Sequence, residues 1–299
     1  MISFFNINKM SESWTGDFRY PYSRTLYLKA VALYLLFHFF VFWLPNASDY
    51  WGAERLLLPY YKTTNPLLFP FNLLEKYTFE VLWKLFFFSI FPLCLWVLWQ
   101  PLSWWVWACI YFVTANLFHA TAALQNAGMN TLLISLLLNL FMVPLPFEFR
   151  SLRFSWFRNA LSHLGFFMIL FQVVLLYLVA SIAKLEGSKW MEGTAFYYVL
   201  MNDMYSHPFF RDAFAGRTWL IQGVSWFTLA FQLSFPVLVW FRYSKILLLF
   251  LGMVFHLMIL WVMGIEDFGL IMMMLYILFL GEERVKKIMD FLRLRVAID

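Results

Sequence analysis

The chain has 299 residues, of which 63% are hydrophobic, 22% aromatic and only 13% charged, with a mean hydropathy of +0.71, which excludes a soluble globular domain and requires lipid as solvent. Its net charge of +5 falls on short segments between apolar runs, a distribution that favours anionic lipid as partner and gives no support to nucleic acid. With two cysteines and no CxxC, HExxH, Walker loop or dinucleotide fingerprint, the usual soluble-enzyme and zinc-protease classes lose their support.

In chain order, residues 1–24 read as a polar tail carrying Asp17, Arg19 and Arg24, with no cleavable signal peptide expected. Apolar runs of helical length follow at Leu26 to Leu44, Phe79 to Trp99, Leu102 to Ala120, Thr131 to Phe147 and Ala160 to Lys184. Three more lie at Trp219 to Phe241, Ile246 to Gly264 and Phe268 to Leu280. The reading is an all-α polytopic transmembrane bundle of about eight spans. Seven results if the Gln100–Pro101 boundary does not separate the second and third. Residues 45–78 and 185–217 are aromatic-rich connections that lie partly in the interface. Residues 25–282 form the membrane domain and 283–299 a terminal helix, in which Val285, Ile288, Met289, Leu292 and Val296 share one face and Lys286, Lys287, Arg293 and Arg295 take others. A solvated tail helix is the competing reading of that segment.

With eight spans, thirteen lysines and arginines fall on the side of the termini and six on the other, with Lys29, Lys84 and Lys184 inside or at the ends of spans. The positive-inside rule then puts both termini in the cytoplasm and residues 45–78 and 185–217 outside. Cys94 and Cys109, near the inner ends of neighbouring spans, read as free thiols.

The segment Ala180 to Thr194, ASIAKLEGSKWMEGT, strands Lys184 at the outer end of a long apolar run. Partial desolvation of an amine is one way to obtain a general base near neutral pH, whereas a lysine at a helix end also snorkels to the headgroups with no task at all. On the same outer side fall the Glu266–Asp267 turn and the turn bracketed by His119, Gln125, Asn126 and Asn130. His256 falls about 12 Å below the outer end of the seventh span, deep enough to need a partner or a polar cavity. A cavity shared by Lys184, His256 and Glu266 or Asp267 is therefore expected. For His256 the alternative is a packed histidine bonded to a carbonyl, and for Glu266 and Asp267 it is a hydrated loop. No pair of histidines and carboxylates has metal-ligand spacing, so no metal site is assigned.

Two stretches, LYLVASIAKLEGSKWMEGTAFYYVL at Leu176 to Leu200 and VFHLMILWVMGIEDFGLIMM at Val254 to Met273, resemble the signatures of the HTTM, or vitamin K-dependent gamma-carboxylase-like, membrane domain family. A weaker match is ATAALQNAGMNTLLISLLLNLF, Ala120 to Phe141. The resemblance implies that Lys184 is the base and His256 a second polar group of the pocket. It gives Trp190, Gly193 and Asn126 to a cofactor, a reduced quinone of the vitamin K type in the carboxylases. The animal carboxylases continue into a large lumenal part, while this chain ends at Asp299 and is similar to short bacterial members, some of them associated with maturation of secreted peptides. A bacterial cytoplasmic membrane and a peptide substrate or partner protein at the outer face follow as expectations. Three readings stand: an enzyme acting on a peptide, lipid or quinone-type substrate, a noncatalytic subunit or scaffold, and a transporter. Scarcity of buried charge disfavours the last.

Overall fold

The computed structural model describes residues 17–51, 73–76, 80–121, 126–145, 152–203 and 205–295, without the side chains of 75, 76, 80 and 152–154. Most of the expected outer loop (52–72), the tail up to residue 16, Gln125, Arg150 and Val296 lie outside the described residues. Every regular element among the described residues is helical: α1 (Pro21–His38), α2 (Ala47–Trp51), α3 (Leu73–Lys76), α4 (Glu80–Trp99), α5 (Trp104–Ala120), α6 (Ala127–Met142) and α7 (Leu152–Leu185), then α8 (Ser188–Met191), α9 (Ala195–Leu200), α10 (Pro208–Phe214), α11 (Thr218–Leu238), α12 (Arg242–Met263), α13 (Glu266–Leu275) and α14 (Glu282–Phe291). Five continuous helical segments are long and apolar enough to cross a membrane: Pro21–Trp51, Val81–Trp99, Ser155–Leu185, Thr218–Leu238 and Arg242–Met263. The remaining runs expected as spans form helices of 17 (α5), 16 (α6) and 10 residues (α13), below the roughly 20 that cover a hydrocarbon core of about 30 Å.

Two compact units divide the chain, Met1–Ile169 with Gly281–Asp299, and Leu170–Leu280. In the first, α1 packs on α4, α4 on α5 and α5 on α6 in sequential order. Pro21 begins α1 with its φ preset for a helix, and the Glu282 carboxylate supplies the missing cap by accepting from the Tyr22 and Ser23 amides and the Ser23 hydroxyl. After His38 the helix widens into a π turn, in which the Leu44 amide reaches back to the Phe39 carbonyl, and then tightens into a 3-10 turn at Leu44–Asn46. Pro45 lacks the amide that would continue a regular ladder, and Asn46 compensates by donating its side-chain amide to Phe42 O at 2.8 Å. The Gln100–Pro101 boundary is a true break. Trp107 Nε1 donates to Pro101 O at 2.8 Å, so the proline turn is tied to α5, and α4 and α5 are separate neighbours. At Gly165 a Cβ would lie 2.9 Å from Met142 Cα, so only glycine lets α7 meet the end of α6 backbone to backbone.

The second unit holds the C-terminal part of α7 and α8 to α13, with α12 and α13 joined through Gly264, which adopts φ +61° as the left-handed end of α12. Phe235, Ile271, Met272 and Leu275 are fully buried at its centre. A second cluster of Phe196, Leu200 and Val262 gathers Phe210, Phe214 and Ile221 around it. Leucine, phenylalanine and tryptophan side chains on the span surfaces, including Leu85, Trp99, Leu247, Phe250 and Trp261, are exposed, which in a membrane chain is the lipid-facing surface.

Candidate functional site

The site expected around Lys184 is built by the C-terminal end of α7 and the short helices after it. Helix α7 has 34 residues, about 50 Å at 1.5 Å per residue, and stops where the Gly187 amide bonds Lys184 O at 3.1 Å. Glycine matters at 187 because a Cβ would come within 3.2 Å of Trp190 Cδ1, the ring that folds back over the helix end. The Lys184 amine then lies 5.0 Å from the Trp190 ring centroid, with Ala180 O 3.5 Å away. No carboxylate pairs with it among the described residues. Lys184 is half-buried, held by an aromatic face and a carbonyl.

Gly193 fixes the rest of this wall. It is buried with φ +76°, and a Cβ there would lie 2.9 Å from Trp226 Cε2. Both its backbone angle and its contact require glycine. Trp226 Nε1 donates to Met191 O at 3.2 Å and the Phe196 amide donates to Ser225 Oγ at 3.0 Å, so residues 191–196 are stitched to α11. Just outside, Lys189 sits 5.2 Å from the Tyr198 ring and 3.6 Å from Glu192. The Tyr198 hydroxyl first and the Glu192 charge second hold its ammonium above the usual lysine range.

His256 lies elsewhere in the same unit, fully buried on α12. Its Nε2 is 2.6 Å from the Tyr177 hydroxyl, and Tyr177 shares a second hydrogen bond with the hydroxyl of Tyr276, which follows α13. A neutral imidazole supplies one donor and one acceptor, so the chain runs either from Tyr276 through Tyr177 to Nε2 or in reverse from Nε2–H. The His256 Nδ1 is buried with no partner. Two glycines make the arrangement fit. At Gly252 a Cβ would lie 2.7 Å from Tyr276 Cζ, and at Gly269 one would lie 2.8 Å from His256 O. Phe235 stacks on Tyr276 and tilts against Tyr177 with centroids 4.2 Å apart, closing the cluster on its apolar side.

The structure brings Lys184 to Trp190 and sets Gly193 beside Trp226, but it gives His256 two tyrosines as partners. Glu266 and Asp267 occupy the first turn of α13, where carboxylates complement the helix dipole. Glu266 pairs with neither Lys184 nor His256 among the described residues, and Asp267 is buried and makes a contact of its own. Asn126 caps α6, accepting from the Gly128 and Met129 amides at 2.8 and 3.1 Å, so its carbonyl oxygen has a structural task. His207 does the same for α10, with Nδ1 accepting from the Phe209 amide at 3.2 Å. An apolar recess of about 260 Å³ opens over Gly223 on α11, lined by Trp219, Leu220, Val224 and Phe227, with no titratable group in its wall. Among the described residues no three His, Cys, Asp or Glu side chains gather as a metal site.

Tyr177 and Tyr276 are the residues that sequence reading missed. One signal for Tyr177 was available: Tyr177, Ser181 and Lys184 fall at i, i+4 and i+7 on α7, a polar stripe in the otherwise apolar stretch 173–185, with the first two fully buried. No such spacing points to Tyr276, which reaches Tyr177 only through the packing of α13.

No curated protein and no solved structure matches the chain. A family model described as the HTTM domain matches residues 133–283, half of the sequence, a range that takes in Lys184, Trp190, Gly193, Tyr177, His256 and Tyr276 and leaves out Asn126. The exposed apolar spans and this match together make the chain an integral membrane protein that belongs to the HTTM domain family.

Proposed function

We propose that this chain is a membrane-embedded, carboxylase-like enzyme in which Lys184 is the general base for a peptide, lipid or quinone-type substrate, in the setting of secreted-peptide maturation at a bacterial cytoplasmic membrane. The observation that carries the reading is the placement of the Lys184 amine: half-buried, against an indole, with no carboxylate among the described residues to hold its proton. A lysine that only snorkels needs no tryptophan folded back over it, and Gly187 leaves the space that the Trp190 ring takes at the helix end. Trp190 and Gly193 shape the approach to the amine. His256 acts through Tyr177, which shares a face of α7 with Lys184 about 10 Å along the axis, and is therefore a positioning residue in this reading.

A reduced quinone is the cofactor that the family resemblance implies, and the residues fit it in kind, since Trp190 offers an aromatic face and Lys184 a proton acceptor. Bound there, it would supply an oxidisable hydroxyl and, with oxygen, a base stronger than any side chain. This chain's own contribution is to hold the ring, accept the hydroxyl proton at Lys184 Nζ and keep water from the indole side. Asn126 as a further cofactor contact rests on the resemblance alone, and would have to use its side-chain NH2 because the carbonyl caps α6.

The test is Lys184→Arg. Guanidinium keeps its charge and its place over an indole but cannot accept a proton at any usable pH, so insertion and abundance should be normal and maturation of the natural substrate abolished. Full activity would move the assignment to the second reading, a noncatalytic subunit or scaffold. One observation favours that alternative: Met191, Tyr198 and Phe209 are large exposed side chains on the connection that faces outside by the charge rule, and they suit a protein partner.

A further inference from the structure

Helix α14 is strongly amphipathic, yet the protein uses only part of its apolar surface. Val285 and Met289 are fully buried, with α14 packed on α1, while Ile288, Phe291 and Leu292 stay 37%, 85% and 51% exposed. At about 100° per residue these three fall on a separate arc beside the buried one, with Arg284 within that arc and Lys287 at its edge. The carboxylates of Glu283 and Asp290 fall on the opposite side, and Glu282 is turned to the α1 amides. Charge is thus segregated around the exposed apolar arc, with only cations beside it. Arg293 and Arg295 follow where the helix ends.

The level at which α14 sits is fixed by its contacts. Glu282 bonds the first turn of α1, which begins a candidate membrane span at Pro21, and Lys286 lies 5.5 Å from the Tyr22 ring. A helix tied to the first turn of a span lies where acyl chains give way to headgroups. We propose that α14 is a binding element for anionic phospholipid, in which Ile288, Phe291 and Leu292 enter the bilayer surface and Lys287, with Arg293 and Arg295, takes headgroup phosphates.

The test uses the full chain in liposomes, with an environment-sensitive fluorophore on Leu292→Cys after Cys109→Ala, since Cys94 is buried and does not compete for label. In vesicles of phosphatidylcholine and phosphatidylglycerol at about 7:3, the label should shift to the blue and be quenched by lipids brominated near the glycerol end. In pure phosphatidylcholine it should report water. Each cation near an anionic surface contributes on the order of fivefold in affinity, so Lys287→Glu with Arg295→Glu, both at exposed positions, should abolish the shift at the same lipid composition. Water exposure in both vesicle types overturns the proposal. Equal burial in both removes the headgroup from it, and shielding that grows with protein density assigns the arc to a second copy of the chain.

Discussion

The Tyr177–His256–Tyr276 chain predicts an asymmetry between two mutations that differ by nothing in chemistry. Tyr177 is the middle member, bonded to His256 Nε2 at 2.6 Å and to the Tyr276 hydroxyl, and both neighbours are buried. Tyr177→Phe therefore orphans two polar groups at about 1–3 kcal/mol each, for a total of about 2–6 kcal/mol. Tyr276→Phe removes an end of the chain, leaves Tyr177 its bond to His256, and should cost about 0.5–1.5 kcal/mol. The difference, about 2 kcal/mol, is a factor of about 30 in the unfolding equilibrium. Unfolding by sodium dodecyl sulfate in mixed micelles, followed by tryptophan fluorescence, measures it directly. Hydrogen bonds between membrane helices often measure weaker than this because the denatured state finds partners too, but that discount applies to both variants and keeps their order. A loss in Tyr276→Phe equal to or larger than that in Tyr177→Phe would refute the assignment of Tyr177 as the centre.

At Gly193 both the +76° φ and the Trp226 contact oppose a side chain, so Gly193→Ala should destabilise by about 1–3 kcal/mol and change Trp226 fluorescence, whereas Gly216→Ala, strained in φ but in open space, should cost less. Glu282→Ala removes the cap of α1 and should cost about 1–2 kcal/mol in the same unfolding assay, with exchange of the Tyr22 and Ser23 amides speeding up. Topology by the charge rule predicts that maleimide labels Ser188→Cys from outside and Tyr243→Cys from the cytoplasm only, and the reverse pattern would reject it. For Lys189, whose pKa is raised by Tyr198 and Glu192, the favourable interaction exists while the amine is charged and fades as pH rises through that raised value. Tyr198→Phe should return its titration toward ordinary lysine, as read by NMR of reductively methylated protein.

How much of this was legible in the sequence depends on the range of each interaction. Apolar run length placed the α4, α11 and α12 helices within four residues and the C-terminal end of α7 within one, since lipid solvation acts locally on every side chain of a span, while α7 starts eight residues before the expected Ala160 in a stretch that carries Arg153 and Arg158. The Lys184 motif was legible for the same reason: lysine, glycine and tryptophan lie within seven positions, and their contacts are made along one helix end. The C-terminal helix was half legible. Periodicity put Val285, Ile288, Met289 and Leu292 on one face, but only packing on α1 separates the buried Val285 and Met289 from the exposed Ile288 and Leu292. His256 was found as a buried histidine in need of a partner, yet its partners sit 79 and 20 positions away in sequence, on elements whose contact is set by Gly252 and Gly269. Periodicity carries no information about such distant pairing.

That pairing changes the role open to His256. A group that meets substrate needs an open approach, but His256 is fully buried among Tyr177, Tyr276, Phe255 and Phe268, with Gly269 packed on its carbonyl. What it does hold is the Tyr177 hydroxyl, at 2.6 Å from Nε2, and Lys184, seven residues on, falls on the same face of α7, so the role we propose for His256 is to set the rotation of that helix. If Lys184 is the base, a His256→Gln variant, whose amide can either accept from or donate to Tyr177, should retain most activity, while His256→Leu should lose it with Lys184 chemically intact. Equal activity of both variants, at equal abundance, would show that the setting of α7 does not depend on the histidine. Equal loss in both would show that the imidazole has a task that a hydrogen-bonding amide cannot replace.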